Sequence, residues 1–254
     1  LKISREELLL KLAESGFSAS ASEISPFGVE LEASAALDRI PGFEEGLWYV
    51  QDAASQLTSY ILAPKAGERV IDCCACPGGK SFSAAVSMEN IGELYSFDLH
   101  ENKLSLIDKS AERLGISIIK TATADGRTGV KELFGTADRV ICDVPCSGFG
   151  VVAKKPEIRY KSLSESDRLP EIQRAILENC CRYVKDGGVL VYSTCTILNS
   201  ENESIVSDFL SNHSEFTPDG FELGGKKYPP IVSLLPAKHG CDGFFIARLR
   251  KNTR

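Results

Sequence analysis

The sequence predicts an α/β fold built on a mostly parallel sheet, and three observations lead there. From Arg69 onward, short β-branched runs alternate with longer segments of helical spacing, the pattern of right-handed βαβ units. The stretches Ala137–Gly150 and Gly188–Thr196 read as buried strands that break into loops at Pro145 and Gly148 and at Thr196. The first strand of the series runs into a glycine turn, Asp72-Cys73-Cys74-Ala75-Cys76-Pro77-Gly78-Gly79-Lys80, that opens a helix. In open α/β sheets ligands bind outside the carboxyl ends of the strands. Asp143, Cys146 and Cys195 all fall at such ends, and two cysteines there demand an explanation.

Taken in order, Ser4-Arg5-Glu6-Glu7 is a capping box before Leu8, Leu9, Leu10 and Leu12, so a helix is expected from Ser4 to Glu14, with Gly16 as its stop. Residues 17–50 hold short mixed runs broken by Pro26, Gly28, Pro41, Gly42 and Gly46, and read as strands or turns outside the main sheet. This gives a small subdomain over 1–50 and a principal domain over 51–254. Gln51–Leu62 has Ala53, Ala54, Leu57, Tyr60 and Ile61 at helical spacing and stops before Pro64. Strands are expected at Arg69–Cys73, Gly92–Asp98, Ser117–Thr121, Asp138–Asp143 and Gly188–Ser193, with a last one at Gly243–Arg250. Helices are expected at Ser81–Met88, Glu101–Leu114, Gly129–Phe134, Arg168–Val184 and Glu201–Ser211. Pro229, Pro230 and Pro236 mark the segment before the last strand as a loop.

At 254 residues, 43% apolar and 25% charged, the chain suits one large domain with an appendage. Its apolar runs are too short for a transmembrane helix, and the charged start lacks the apolar stretch of a signal peptide. Leu1 in place of Met, running directly into helix signals, reads as a piece of a longer protein, or as processing. The nine cysteines are odd in number and partly in apolar runs, so a disulfide framework is not expected. Neither Cys73-Cys74-x-Cys76 nor the pair Cys142 and Cys146 has the spacing of a zinc knuckle, and His100, His213 and His239 show no metal or catalytic spacing. No metal is expected; Cys73, Cys142, Cys180 and Cys181 read as small buried hydrophobes in a reducing cytoplasm. The net charge of −6 argues against strong non-specific nucleic-acid binding, without excluding a local basic face.

The glycine turn admits three ligands. It lacks G-x-G-x-x-G, which weakens dinucleotide binding, and its P-loop-like end, Gly79-Lys80-Ser81, fails because position 74 is Cys rather than Gly. The third is S-adenosylmethionine. Asp98 ends the next strand, where a carboxylate can accept both ribose hydroxyls, and Asp125 follows the third, in reach of an adenine amino group. Either acid alone reads better as a helix cap or loop residue. Asp98, Asp125 and Asp143 at strand ends above one glycine turn read better as an adenosine site.

Together, Asp72-x-Cys74-Ala75-x-Pro77-Gly78-Gly79-Lys80, Asp143-x-Pro145-Cys146-Ser147-Gly148 and Ser193-Thr194-Cys195-Thr196 resemble the RNA cytosine-C5 methyltransferases. Tyr49-Val50-Gln51-Asp52-Ala53-Ala54-Ser55-Gln56 and Asp242-Gly243-Phe244-Phe245-Ile246-Ala247-Arg248-Leu249 fit as well. With Gly150-Val151-Val152-x-Lys154-Lys155-Pro156-Glu157-Ile158, the chain is most like the bacterial ribosomal small-subunit methyltransferase B branch. The resemblance implies a class I methyltransferase fold, a Rossmann-like seven-stranded sheet with an antiparallel last strand. It implies S-adenosylmethionine as methyl donor, held by Cys74, Ala75, Cys76, Pro77, Gly78, Gly79, Lys80, Asp98, Asp125 and Asp143. It implies Cys195 as nucleophile and Cys146 as the thiol that helps release product. RNA, most of all small-subunit ribosomal RNA, is the implied partner. Cys76 stands where the family usually has Ala, a change a tight turn should tolerate. The branch carries a helical RNA-binding domain ahead of this region, so tight RNA recognition is not expected of this chain alone.

Two thiols suit that chemistry: attack of a thiolate on cytosine C6 makes C5 nucleophilic, and elimination must follow. Asp143 is a candidate to hydrogen-bond the cytosine amino group. Lys154, Lys155, Arg159 and Lys161 form the densest basic run, a candidate phosphate contact or a solvated loop. Phe149 and Tyr160 are candidates for stacking a base, against core packing as the default. The rival readings are the same chemistry on transfer RNA, a non-catalytic RNA-binding protein that keeps the fold, and a nicotinamide-dependent oxidoreductase.

Overall fold

The computed structural model, which describes residues 1–32, 35–160, 167–223 and 226–253, begins with the helix that the capping box predicts. In α1 (Arg5–Glu14) the Ser4 side chain accepts from the Glu7 N–H, and the Glu7 carboxylate accepts from the Ser4 N–H. Two short strands, β1 (Ser18–Ala21) and β2 (Val29–Glu32), pair as an antiparallel hairpin. Leu8, Leu12 and Ile40 bury a small cluster with Phe17, Val29, Leu31 and Trp48, apart from the core around the main sheet. Arg113 fastens this cluster to the rest of the chain. Its guanidinium lies 4.0 Å from the Phe43 ring centre and donates to the Phe43 and Trp48 carbonyls.

Helix α2 (Ala53–Leu62) starts where Asp52 accepts from the Ala54 N–H and stops at Ala63, which takes a left-handed conformation before Pro64. The chain then alternates as expected: β3 (Arg69–Asp72), α3 (Gly79–Ser87), β4 (Glu93–Asp98), α4 (Glu101–Leu114), β5 (Ile119–Thr123), β6 (Ala137–Asp143), α5 (Leu169–Tyr183), β7 (Val184–Thr194) and α6 (Glu203–Asn212). Short pieces follow: β8 (Phe216–Pro218), β9 (Phe221–Leu223), β10 (Lys226–Tyr228), β11 (Ile231–Leu234), α7 (Pro236–His239) and the long β12 (Phe244–Lys251).

Across the sheet the order is β11-β12-β7-β6-β3-β4-β5, with β8 also on β12. Strands β3 to β7 are mutually parallel, and β12 runs antiparallel to β7. The chain first builds outward from β3 to β5, then returns to place β6 on the other side of β3. That reversal opens a crevice between β3 and β6, at their carboxyl ends.

Both sheet faces are covered, which is why the strands read as continuous apolar runs. Val70, Leu94, Ile141, Val189, Val191 and Ile246 face one layer, with α2, α3 and α4 residues. Their chain neighbours Ile71, Val140, Cys142, Leu190, Tyr192 and Phe245 face the other, with α5 and α6 residues. Cys73, Cys142, Cys180 and Cys181 pack in that second layer, as small apolar side chains do.

Two expectations are corrected. Gly129–Phe134 is not a helix but a single 3₁₀ turn at Lys131–Leu133, bounded by Gly129 and Gly135 at positive φ. The segment is too short to nucleate an α-helix, and its Val130 N–H donates to the Tyr183 hydroxyl instead. The proline-marked loop contains the edge strand β11, which pairs with β12 between Pro230 and Pro236. Edge positions are where a sheet tolerates neighbouring prolines. Among the described residues no helix is long and apolar enough to cross a membrane.

His213, just past α6, links three elements: one ring nitrogen lies 2.8 Å from a Glu178 carboxylate oxygen of α5, the other 3.0 Å from Glu215 beside β8. Partial burial pulls the imidazolium down, but the two carboxylates outweigh it and hold His213 above its ordinary value of 6.5. A raised folded value means the linkage stabilises below the unfolded value and fades as pH rises through the folded one. His213→Gln is expected to lower the unfolding free energy from urea titration at about pH 6 by under about 1 kcal/mol, both carboxylates being half in solvent, and to match the parent near pH 9. An equal deficit at both pH values would show that the imidazolium charge is not what stabilises.

Candidate active site

The glycine turn after β3 lies beside the crevice. Gly78 has φ +110°, and a Cβ there would fall 2.5 Å from the Phe82 ring, so only glycine fits. Beneath the turn, Asp72 is fully buried and accepts from Ser81 Oγ at 2.7 Å. Burial pushes its carboxyl up to about 7, and its Oδ1 has no hydrogen-bond partner. Asp98, at the end of β4, accepts from the Cys76 N–H at 3.2 Å and the His100 N–H at 3.0 Å, which places its carboxylate against the turn. Asp125 lies in the same tier but is held by Arg127, whose Nη2 lies 2.6 Å away. The guanidinium draws Asp125 below the usual carboxylate range. Arg127 is half exposed, so it can leave this pairing at little cost. Cys74 is partly buried, and burial raises its thiol well above normal; burial with Asp98 pushes Cys76 up to about 12.

On the other wall, β6 and β7 run side by side with Asp143 opposite Ser193. Ser193 Oγ donates to one Asp143 oxygen at 2.7 Å, and Lys80 Nζ to the other at 2.6 Å. Parallel pairing at this register carries both following loops over the same end, and Cys146 Sγ lies 3.2 Å from Cys195 Sγ. The hydrogen bond from Cys146 draws Cys195 below the ordinary thiol value; burial and Asp143 oppose this, and Lys80 assists. The same bond, with burial, raises Cys146 well above it. The contact therefore shifts the two sulfurs apart, Cys195 toward thiolate and Cys146 away from it. Gly150 closes the Cys195 loop: its N–H donates to the Cys195 carbonyl at 3.0 Å, and its carbonyl accepts from Gly243 at 2.8 Å. A Cβ on Gly150 would lie 2.0 Å from the Gly243 oxygen, so this backbone approach requires glycine.

The expected residues thus gather into one crevice: the turn Cys74–Lys80 with Asp98 on one wall, and Asp143, Cys146 and Cys195 on the other. The basic run is different. Lys154 is paired with both Asp52 and Asp242, so its charge is neutralised locally. Lys155 and Arg159 are exposed, and Lys161 lies outside the described residues. Tyr160 is 89% exposed, which removes core packing as its explanation, while Phe149 is half-buried. The spacing also gave no sign of Gln173, Glu201 and Asn202, buried polar residues bonded to the two cysteine loops. Only their burial distinguishes them. Glu178, Cys181 and His213 bring metal-ligating atoms within 4.8 Å of one another, a grouping invisible in the spacing of the histidines. There both ring nitrogens of His213 already face carboxylates. A cavity of about 910 Å³ lies between residues of the N-terminal cluster and α2 and is not lined by Cys146, Cys195 or Asp98. Chemistry, rather than cavity size, marks the site.

Sheet order, glycine turn and strand-end carboxylates define a class I, Rossmann-like methyltransferase fold. The chain belongs to the 16S rRNA methyltransferase RsmB/F family, whose profile matches residues 59–250. It is 40% identical over 263 residues to a protein of Bacillus subtilis named probable ribosomal RNA small subunit methyltransferase B, covering 99% of this chain and 58% of that protein. A protein of Synechocystis with the same name is 37% identical over 260 residues, with the same two coverages. The chain thus spans 58% of the length of these curated relatives. A crystal structure of a methyltransferase homologue from Pyrococcus horikoshii superposes with a TM-score of 0.84 at 29% identity, covering 98% of this chain and 83% of that one.

Proposed function

We propose that this chain is the catalytic part of an S-adenosylmethionine-dependent methyltransferase that modifies C5 of a cytosine in small-subunit ribosomal RNA. The observation that carries the reading is the pair of thiols 3.2 Å apart at the ends of adjacent strands, one lowered and one raised. A methyltransferase acting on an already nucleophilic nitrogen or oxygen has no need of such a pair. Family membership and the names of the relatives support the RNA substrate. In this reading residues 51–254 carry the chemistry, residues 1–50 form a small subdomain, and the protein works in the cytoplasm, where free thiols persist.

The crevice fits the cofactor: glycine leaves room at the turn, the start of α3 offers backbone N–H groups, and Asp98 presents a carboxylate beside them. S-Adenosylmethionine would be held by Cys74–Lys80, Asp98, Asp125 and Asp143, and supplies the methyl group as an electrophile. Cys195, as thiolate, adds to cytosine C6 while N3 gains a proton, leaving an enamine-like C5. Asp143 has both oxygens engaged by Lys80 and Ser193, yet each retains a lone pair that can accept from the cytosine amino group. After transfer, a base takes the C5 proton, the C6–sulfur bond breaks with its electrons returning to Cys195, and N3 releases to solvent the proton it took from there. Cys146 keeps its proton and stabilises the departing thiolate through its S–H bond. A paired base must leave its stack to reach this crevice.

The test is nucleoside analysis of small-subunit ribosomal RNA after incubation with the full-length protein and isotope-labelled cofactor. Label in 5-methylcytidine is expected; label in another nucleoside would overturn the reading. RNA binding by the chain alone is expected to be weak and salt-sensitive. With Lys154 neutralised, Lys155 and Arg159 remain of the described run, so a plot of log affinity against log salt should slope at about −1.4 to −1.8. Tight binding indifferent to salt would place the RNA on another surface.

A further inference from the structure

We propose that Gln173 and Glu201 form a buried clamp that sets the distance between the two thiols, and are positioning residues for the thiol chemistry; this deepens the function proposed above and rests on it for its catalytic meaning. Gln173 Nε2, from α5, donates to the Pro145 carbonyl at 3.0 Å and to Glu201 Oε2 at 2.8 Å. The same Glu201 oxygen accepts from the Ser147 N–H at 2.9 Å. The peptide groups on both sides of Cys146 are therefore held by two side chains that are bonded to each other.

The partner loop is held from the same place. Ser147 Oγ and Thr196 Oγ1 lie 2.8 Å apart, and the Thr196 carbonyl accepts from Asn202 Nδ2 at 3.0 Å. Thr194 Oγ1 donates to Asn202 Oδ1 at 2.6 Å, and the Tyr192 hydroxyl donates to the Glu201 carbonyl at 2.6 Å. Asn202 thus fixes both neighbours of Cys195, while the adjacent Glu201 fixes one neighbour of Cys146. Gln173 and Glu201 are 0% and 1% exposed, so water does not compete for these bonds. Two N–H donors meet Glu201 Oε2, while Glu201 Oε1 and Gln173 Oε1 are buried without a hydrogen-bond partner. A sulfur–sulfur hydrogen bond is soft and short-ranged, so a shift of either loop by a fraction of an ångström weakens it. The clamp is the device that prevents the shift.

The test needs neither RNA nor cofactor. The rate at which iodoacetamide alkylates Cys195 is followed against pH, read from the Cys195 peptide by mass spectrometry. In the parent protein the midpoint is expected below that of an ordinary cysteine. Gln173→Met, which removes both donors, is expected to raise it by one pH unit or more, as Cys146→Ala does. In a Cys146→Ala background the same substitution should produce no further change, because the clamp acts through Cys146. Glu201→Met, which removes the oxygen that accepts from both Gln173 and the Ser147 N–H, serves where Gln173→Met does not fold, and the same rise is expected. An unchanged midpoint in a folded clamp variant, or an equal shift in the Cys146→Ala background, overturns the proposal. A merely structural role would lower the melting temperature and leave the midpoint alone. If the midpoint behaves as expected and ribosomal RNA gains no 5-methylcytidine, the clamp stands and the functional reading falls.

Discussion

Cys146→Ala, given RNA and S-adenosylmethionine, is expected to accumulate a protein–RNA adduct that survives denaturing electrophoresis. Cys195→Ala and the double variant are expected to form none. Cys195 is the sulfur drawn toward thiolate, and the Lys80 charge that assists it remains when Cys146 is removed. Attack on C6 and methyl transfer can then still proceed, though more slowly. What is lost is the S–H donor that eases departure of Cys195, so the block falls after transfer and the trapped RNA should carry the methyl group. The effect is qualitative, from no detectable adduct to a major species. An adduct in Cys195→Ala and none in Cys146→Ala would reverse the two roles.

Asp98→Ala is expected to weaken S-adenosylmethionine binding tenfold or more while the protein still folds. The Asp98 carboxylate lies against the turn through the Cys76 N–H, and a ribose there would donate to it charge-assisted hydrogen bonds worth about 1.5–3 kcal/mol each. One such bond lost is a factor of about ten in affinity. The fold should survive because Asp98 ends its strand in a partly exposed position and its bonds are to loop N–H groups rather than the core. Calorimetry with S-adenosylhomocysteine decides it, and unchanged affinity would remove Asp98 from the site. Asp125→Ala should cost less, since that carboxylate must first be released from Arg127.

The frame of the molecule was readable wherever local chemistry decides structure. The Ser4–Glu7 capping box and the strand ends at Asp98 and Asp143 each follow from a few adjacent residues. The thiol pair could be inferred because the Pro-Cys and Thr-Cys motifs each end a strand, but that these strands are neighbours is a property of the sheet. Two misreadings came from context. Ile231–Leu234 is too short and too flanked by proline to signal a strand, and becomes one only by pairing with β12. Lys154 looks like part of a basic face because its neutralising partners, Asp52 and Asp242, are distant in the chain. Gln173 and Glu201 were invisible for the same reason: a polar residue on a predicted helix is assumed to face solvent, and only tertiary packing buries it.

The account rests most directly on Cys195 as the sulfur that bonds cytosine C6. RNA containing 5-fluorocytosine at the target position tests this, since fluorine cannot leave C5 as a proton does and elimination is blocked after transfer. With the full-length protein and S-adenosylmethionine, peptide mapping of the trapped adduct should find methylated RNA attached to the peptide that contains Cys195. Attachment at Cys146, or no adduct in a preparation that methylates unmodified RNA, would contradict the account.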